Sequence, residues 1–408
     1  MRALPSIRKA FNYLRLFLLA EKDWRKPDRK PILIFDGRTG QPLLNYIDPA
    51  HASVLYDWRE RSNLYVFLRC LLSFKLSGLE YAKRYVAAVH PAAAITLSDN
   101  SATFYELKAF FPDITMVSIQ FSWRGEETDI FHYFKTRAPG TKLGVDYVLA
   151  YNDEVGRLYQ RYVGGKALPV GSLINNHFRR TNKIEPRSVV FISEFRPPSS
   201  HVTDDLKTKT GEKATWDDIY SLERMVLPFL AEYCRSKGLT FTVCGAKTRD
   251  HAMELEFYRG LLGPREWRWL PRTSWYSNYG VINGAGFVVF INSTLGYESL
   301  ARGKRVACFS ARGNWYQDPT SWKFGWPSKL PDTGPFWTNH ADVDEFRRVL
   351  EYTTSASDPE WLQTWRQFGP RIMAYDEGNS QLVALLRKLE VPVKIDNEAV
   401  PALKAVRT

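Results

Sequence analysis

Read for apolar and polar positions, the chain alternates between two periods. Short apolar runs at residues 32–35, 94–97, 114–119 and 147–150 each stop at a polar turn. Between them, residues 64–74, 78–89, 101–111 and 153–162 place apolar side chains on one helical face. Short apolar strands alternating with helices predict a parallel sheet covered on both faces. A polar, basic stretch over 175–187 interrupts the pattern and reads as a linker. The alternation then restarts, with strands expected at 189–192, 240–244, 267–270, 288–291 and 305–309. Helices are expected at 216–237, 251–262, 296–302, 343–353 and 380–389, and the Trp-, Gly- and Pro-rich stretch 314–338 reads as an irregular loop.

The expected organisation is a basic amphipathic helix within 1–30, a first α/β domain over 31–180, a second α/β domain over 188–390 and a loose tail over 391–408. A chain of 408 residues exceeds what one hydrophobic core fills, which agrees with two domains. Two Rossmann-like parallel-sheet domains facing across a cleft would bind ligands at the carboxyl ends of their strands.

The formal net charge of +12 implies an anionic partner: nucleic acid, anionic lipid or a phosphorylated substrate. No zinc knuckle, RNA-recognition signature or homeodomain-like helix accompanies the charge, so nucleic acid is set aside. The basic residues concentrate at the N-terminus, where Ile7, Phe11, Leu14 and Leu18 share a helical face and Arg8, Lys9, Arg15 and Lys22 lie elsewhere. That pattern reads either as an anchor on an anionic membrane surface or as a helix docked on the protein's own core. No apolar stretch reaches the roughly 20 residues needed to cross a bilayer, and no signal peptide opens the chain. The cysteines Cys70, Cys234, Cys244 and Cys308 form no C-x-x-C pair and read as buried thiols. A cytoplasmic protein, peripheral on the inner membrane, is expected. Aromatic residues make up 14% of the chain and many fall in loops, where they either floor a sugar or base site or pack the core.

The segment 288–306 carries the clearest chemistry. A buried strand stops at Asn292-Ser293-Thr294 and a helix begins at once, offering backbone N–H groups and a dipole to a phosphate. Glu298, read as an exposed first-turn residue, is placed to accept hydrogen bonds from a ribose or base. The competing reading is an ordinary capped helix. Arg196, Gly245 and Arg272, with Lys247 or Arg249, fall at other strand ends and are candidates to meet a leaving phosphate. Asp99 follows the strand ending at Leu97 and is the leading candidate base, with an N-cap as its alternative role. Glu126, Glu127 and Asp129 compete for that role from a later loop. No Asp-x-Asp pair and no His ligand spacing point to a metal, and no cofactor motif is present. A Gly-x-Ser-x-Gly elbow, a Walker loop and a Gly-x-Gly-x-x-Gly turn are all missing, which argues against hydrolase, ATPase and dehydrogenase chemistry.

The Ser-Thr turn followed by Gly-Tyr-Glu-Ser-Leu and Ala-Arg-Gly-Lys resembles the donor half of B-type glycosyltransferases. More narrowly, 291–305, 324–327, 330–338 and 170–176 resemble the bacterial surface carbohydrate biosynthesis proteins, with 324–338 the most specific part. The resemblance implies a metal-independent transferase moving a sugar from a nucleotide sugar to a surface-polysaccharide or lipid-linked acceptor. Its distant likeness to capsule-type Kdo transferases and sialyltransferases implies a CMP-activated acidic sugar, although the His-Pro pair typical of those enzymes occurs here in the first domain, at His90-Pro91. Two other readings stay open: a non-hydrolysing nucleotide-sugar epimerase, and a non-catalytic carbohydrate-binding protein of the same fold.

Overall fold

A computed structural model of the chain describes residues 18–57, 60–124, 130–136, 142–180, 183–200, 206–317 and 323–394. The expectations for Ile7, Phe11 and Leu14, and for Glu126, Glu127 and Asp129, lie outside the described residues. The chain divides into two compact units. One comprises Met1–Phe121, Phe131–Ile174 and Asn379–Asn397, and the other Ser122–Ile130, Asn175–Gly378 and Glu398–Thr408.

The first unit contains β1 (Glu21–Asp23), β2 (Ile32–Phe35), β3 (Ala52–Leu55), β4 (Arg61–Asn63), β5 (Ala93–Thr96), β6 (Thr115–Ile119), β7 (Tyr147–Ala150) and β8 (Lys166–Pro169). Six of them form one sheet in the order β3-β2-β5-β6-β7-β8. Every pairing in it is parallel. Strands β1 and β4 pair apart from it. All four residues of β2 and of β5 are buried, because helices cover both faces and leave no polar side to alternate.

The closing helix Ser380–Lys388 corrects the expected boundary at 390. Its Leu382, Leu385 and Leu386 join the first unit's core beside Ile34, Ile95 and Val117. Asn379 fixes the helix entry, donating to the Tyr46 hydroxyl at 2.6 Å and to the Leu173 carbonyl at 2.9 Å.

The second unit contains β9 (Glu185–Ile192), β10 (Thr240–Cys244), β11 (Arg268–Leu270), β12 (Ala285–Phe290), β13 (Arg305–Phe309), β14 (Thr333–Gly334) and β15 (Trp337–Thr338). They form one sheet in the order β11-β10-β9-β12-β13-β15-β14, parallel except for the final β14–β15 pair. The expected linker 175–187 is instead part of this unit. Asn175 and Asn176 are buried. The Arg302 guanidinium donates to the carbonyls of Asn175, Phe178 and Arg179, each at 2.9 Å.

The stretch read as an irregular loop, 314–338, supplies β14, β15 and an aromatic ladder. Trp123 stacks on Tyr297 at 3.7 Å between centroids, Tyr297 on Phe324 at 5.6 Å, and Phe324 on Trp337 at 5.1 Å. Gly334 is glycine because a Cβ there would lie 2.0 Å from the Trp337 ring. Helix Asp358–Ile372, which sequence periodicity does not reveal, closes the ladder with Trp361 and Phe368 against Phe336. The four cysteines are free and buried, and burial pushes the Cys244 thiol up to about 12. Among the described residues no helix is long and apolar enough to cross a membrane.

Leu386 is fully buried. Leu386→Ala should therefore lower unfolding stability by about 2–5 kcal/mol, the usual cost of a core truncation. Urea titration followed by circular dichroism checks this. A change under about 0.5 kcal/mol would show that the closing helix is not part of the core.

Candidate functional site

Four loops leave the carboxyl ends of neighbouring parallel strands β10, β9, β12 and β13, at residues 245–247, 193–196, 291–294 and 310–312. Adjacency in the sheet sets them side by side, the usual place for a ligand in an open α/β sheet. Two buried carboxylates from covering helices fix this floor.

Glu254, fully buried on helix His251–Leu262, accepts from the backbone N–H of Ala246 at 2.8 Å and of Lys247 at 3.3 Å, and from the Ser193 hydroxyl. Glu223, equally buried on helix Ser221–Lys237, pairs with the Arg312 guanidinium. Arg312 also pairs with Glu194 at 2.5 Å, and Glu194 accepts from the Asn292 N–H at 2.6 Å. Burial acts to lower the Arg312 pKa, but Glu194 and Glu223 outweigh it and hold the guanidinium above its ordinary range. Burial pushes the Glu223 carboxyl up, and Arg312 works against that shift. The Asn292 amide donates to the Ser310 hydroxyl at 2.7 Å, joining the third and fourth loops.

On this floor Ser293 caps helix Thr294–Ala301 with an extended backbone and makes no side-chain capping bond. The helix packs tightly on β12, where a Cβ at Gly296 would lie 2.1 Å from the Phe290 ring. Thr294 accepts from the Trp123 N–H at 3.1 Å. Glu298 is not the exposed residue expected. It is buried and accepts from the Tyr279 hydroxyl at 2.7 Å. At the neighbouring strand ends Arg196 is exposed and Lys247 half-buried. Burial first, and then repulsion from Arg196, holds the Lys247 ammonium below the usual lysine range. Two cations near enough to repel lie at the ends of β9 and β10, on the same sheet edge as the helix amino end after β12, and positive charge there favours an anion.

Arg272 takes a different role from the one expected. Its guanidinium donates to the carbonyls of Ser274, Ala246 and Trp275 at 3.1, 3.2 and 3.0 Å, which braces the loop after β11. Gly245 is needed for close approach, since a Cβ would lie 2.9 Å from Trp269.

In the first unit Asp99 is buried rather than open to a ligand. One oxygen accepts from the Tyr159 hydroxyl, the other from the Phe121 N–H at 3.4 Å, and the Tyr105 hydroxyl donates to its carbonyl at 2.9 Å. Ser101, not Asp99, is the N-cap of the following helix. Nearby, at the carboxyl end of the adjacent strand β2, stands a carboxylate that the sequence reading passed over. Asp36 adopts a left-handed backbone, with φ 65°, and is only partly buried. The Ser98 hydroxyl donates to it, and Thr39 lies 2.8 Å from Ser98. Aspartate is one of the few residue types that tolerate this conformation, and here it precedes the short helix Gly37–Gly40. The signal was the one used for Asp99, an acid just past an apolar run, but Asp36-Gly37 reads in sequence as the loop after a strand.

The chain's fold is that of B-type glycosyltransferases and the related epimerases. The UDP-GlcNAc 2-epimerase of Neisseria meningitidis bound to UDP-GlcNAc is 10% identical, with a TM-score of 0.50 over 88% of this chain and 100% of that one. S. aureus MnaA with UDP is 9% identical, with a TM-score of 0.51 over 89% and 98% of the two chains. The glycosyltransferase TarM of S. aureus, with Fondaparinux, alpha-GlcNAc-glycerol and UDP, is 11% identical, with a TM-score of 0.43 over 76% and 58%. No curated protein sequence matches the chain. The family model for O-antigen biosynthesis proteins matches residues 117–390, well over half of the chain, and by that match the protein belongs to this family of surface carbohydrate biosynthesis proteins.

Proposed function

We propose that the protein transfers a sugar from a nucleotide sugar to a surface-glycan or lipid-linked acceptor, without a metal or cofactor. The observation that carries this reading is the cationic edge of the second unit, where Lys247 and Arg196 follow β10 and β9 on the same sheet edge as the amino end of helix Thr294–Ala301. Asn292 and Ser293 present the turn that would receive the donor phosphates, and Arg196 and Lys247 would neutralise the nucleotide as it leaves. Glu298, behind that turn, orients through Tyr279. In the first unit, Asp36 is the better-placed base for an acceptor hydroxyl, because its carboxylate is partly exposed. Asp99, buried between Tyr159 and Phe121, would act as its positioning neighbour.

A second reading, interconversion of a nucleotide sugar without an acceptor, draws support from the fold shared with the Neisseria epimerase. Incubation with UDP- and CMP-activated sugars, followed by NMR, separates the two. Transfer releases free nucleotide only when a glycan acceptor is present. Epimerisation yields a new nucleotide sugar with no acceptor. Nucleotide binding with no turnover under either condition would mark a non-catalytic relative and overturn both.

The Lys247 charge also gives the donor site a pH dependence. A protonated amine attracts phosphate and a neutral one does not. Nucleotide affinity should therefore fall as pH rises, and because the folded pKa is lowered the fall should begin earlier than at the ordinary lysine value of 10.5. Lys247→Met should weaken UDP or CMP binding by about 1–3 kcal/mol at neutral pH and flatten that profile. Calorimetric titration checks both, and an unchanged affinity removes Lys247 from the site.

The two aspartates separate by kinetics. Asp36→Asn should lower kcat by about 10²–10⁴-fold, with donor affinity and melting temperature unchanged. Asp99→Asn should show its effect in melting temperature as well, since its buried oxygens accept hydrogen bonds that an amide cannot fully accept. Full turnover in Asp36→Asn would return the role of base to Asp99 or to Glu126 and Glu127.

A further inference from the structure

Helix Leu64–Leu72 is apolar on both faces. Leu64, Val66 and Cys70 are buried, while Leu68, Leu71 and Leu72 point outward. The chain then turns through Phe74, which is 95% exposed with φ 53°, and Leu76, also exposed. This turn is built rather than loose. The Ser73 hydroxyl donates to the Arg69 carbonyl at 2.8 Å, Arg84 donates to Ser73 at 2.8 Å, and the Lys75 N–H donates to the Cys70 carbonyl at 3.0 Å. Strand β1 packs on the same helix, and the segment around it adds exposed Leu18, Leu19 and Trp24. These two segments hold more than half of the large exposed hydrophobic side chains among the described residues. Solvated helices do not ordinarily carry leucine on both faces.

The surroundings are cationic. Arg69 and Lys75 are exposed within the patch. Beside it lies a cavity of about 380 Å³ lined by Arg25, Lys26, Lys30 and Arg61, with Tyr56 as a wall. Asn63 ties the two features together. It caps the apolar helix through the Val66 N–H at 3.0 Å, and its amide donates to the Arg25 carbonyl at 2.8 Å. Asp23 and Asp28 also line the cavity, so the excess of positive charge there is partial.

We infer that the first unit docks on an anionic bilayer through Leu68, Leu71, Leu72, Phe74 and Leu76, with a lipid phosphate headgroup seated in the adjoining cationic cavity. Apolar side chains rimmed by Arg and Lys are the surface that inserts at the headgroup boundary of anionic membranes. A two-fold dimer through the same face would bring two copies of Arg69 and of Lys75 into one small interface, and that repulsion disfavours a second copy as the occupant. The inference does not depend on the sugar-transfer reading and concerns a surface separate from the carboxyl edge of the second unit.

Sedimentation of the full chain with vesicles tests it. Binding is expected to phosphatidylglycerol-containing vesicles, weaker to phosphatidylcholine alone, and falling as salt rises. Leu72→Asp with Phe74→Asp should cut binding to anionic vesicles by at least about tenfold, the scale of losing two buried apolar side chains. Phe74→Ser alone should give part of that loss, and its exposure means the melting temperature stays unchanged. Lys26→Gln with Arg61→Gln should reduce the preference for anionic over neutral vesicles. Undiminished binding by the folded Asp variant would overturn the inference. So would a wild-type dimer that Phe74→Ser dissociates while neither protein sediments with vesicles, because the patch would then be a subunit interface.

Discussion

The buried Arg312 guanidinium, held between Glu194 and Glu223, is the interaction on which the second unit's functional edge depends. An isolated charge at that depth would be prohibitive, and removing one partner of such a group costs about 3–5 kcal/mol. Two carboxylates meet the guanidinium from different directions, and the free oxygen of Glu194 then fixes the Asn292 N–H. One buried ionic group thereby joins the loops after β9, β12 and β13 to a covering helix. Glu254 does the equivalent for the loop after β10 by accepting from two consecutive backbone N–H groups. The backbone at Asn292 and at Ala246-Lys247 is thus held in place by groups that need no ligand.

The strand–helix alternation was legible because parallel strands covered on both faces appear as unbroken apolar runs, as in β2, β5 and β13. Helix Asp358–Ile372 was not, since Pro359, Gly369, Pro370 and two tryptophans mask its period. Its capping box, Ser357 with Glu360, was a signal available in the sequence. The placement of helix Ser380–Lys388 depends on Tyr46 and Leu173, far away in sequence, and no local pattern encodes it. The polar residues were the least legible. Glu223, Glu254 and Glu298 look like any solvated helical glutamate, yet each is buried with a specific donor. Only the fold determines which carboxylates are enclosed.

The most family-specific sequence, 324–338, turns out to be scaffolding. Phe324 and Trp337 carry the aromatic ladder that backs Tyr297, and Gly334 exists to admit the Trp337 ring. Of the two readings of the aromatics, packing of the core holds for this group, whose members Tyr297, Phe324, Phe336 and Trp337 are buried. Arg302, in the Ala-Arg-Gly-Lys stretch, likewise clamps backbone carbonyls instead of facing a ligand. Rings and guanidinium groups that pack against many neighbours are restricted in shape. An exposed side chain such as Arg196 touches fewer parts of the protein and leaves a fainter pattern.

Asp36 and Asp99 show how a similar position in sequence leads to different chemistry. Each follows an apolar strand, and the two strands, β2 and β5, are neighbours. Asp99 is reached by Tyr159 from the helix after β7 and by the Phe121 N–H after β6, so both of its oxygens hold the fold together. Asp36 meets the small hydroxyl of Ser98, with Thr39 behind it, and its left-handed backbone turns the chain sharply after the strand. A carboxylate enclosed by two donors is shut off from a ligand. One that is partly open keeps room for an acceptor hydroxyl. The same sheet edge therefore carries one carboxylate enclosed in the fold and one that stays partly accessible. Ser98-Asp99 joins them, since Ser98 binds Asp36 while the next residue is anchored in the core.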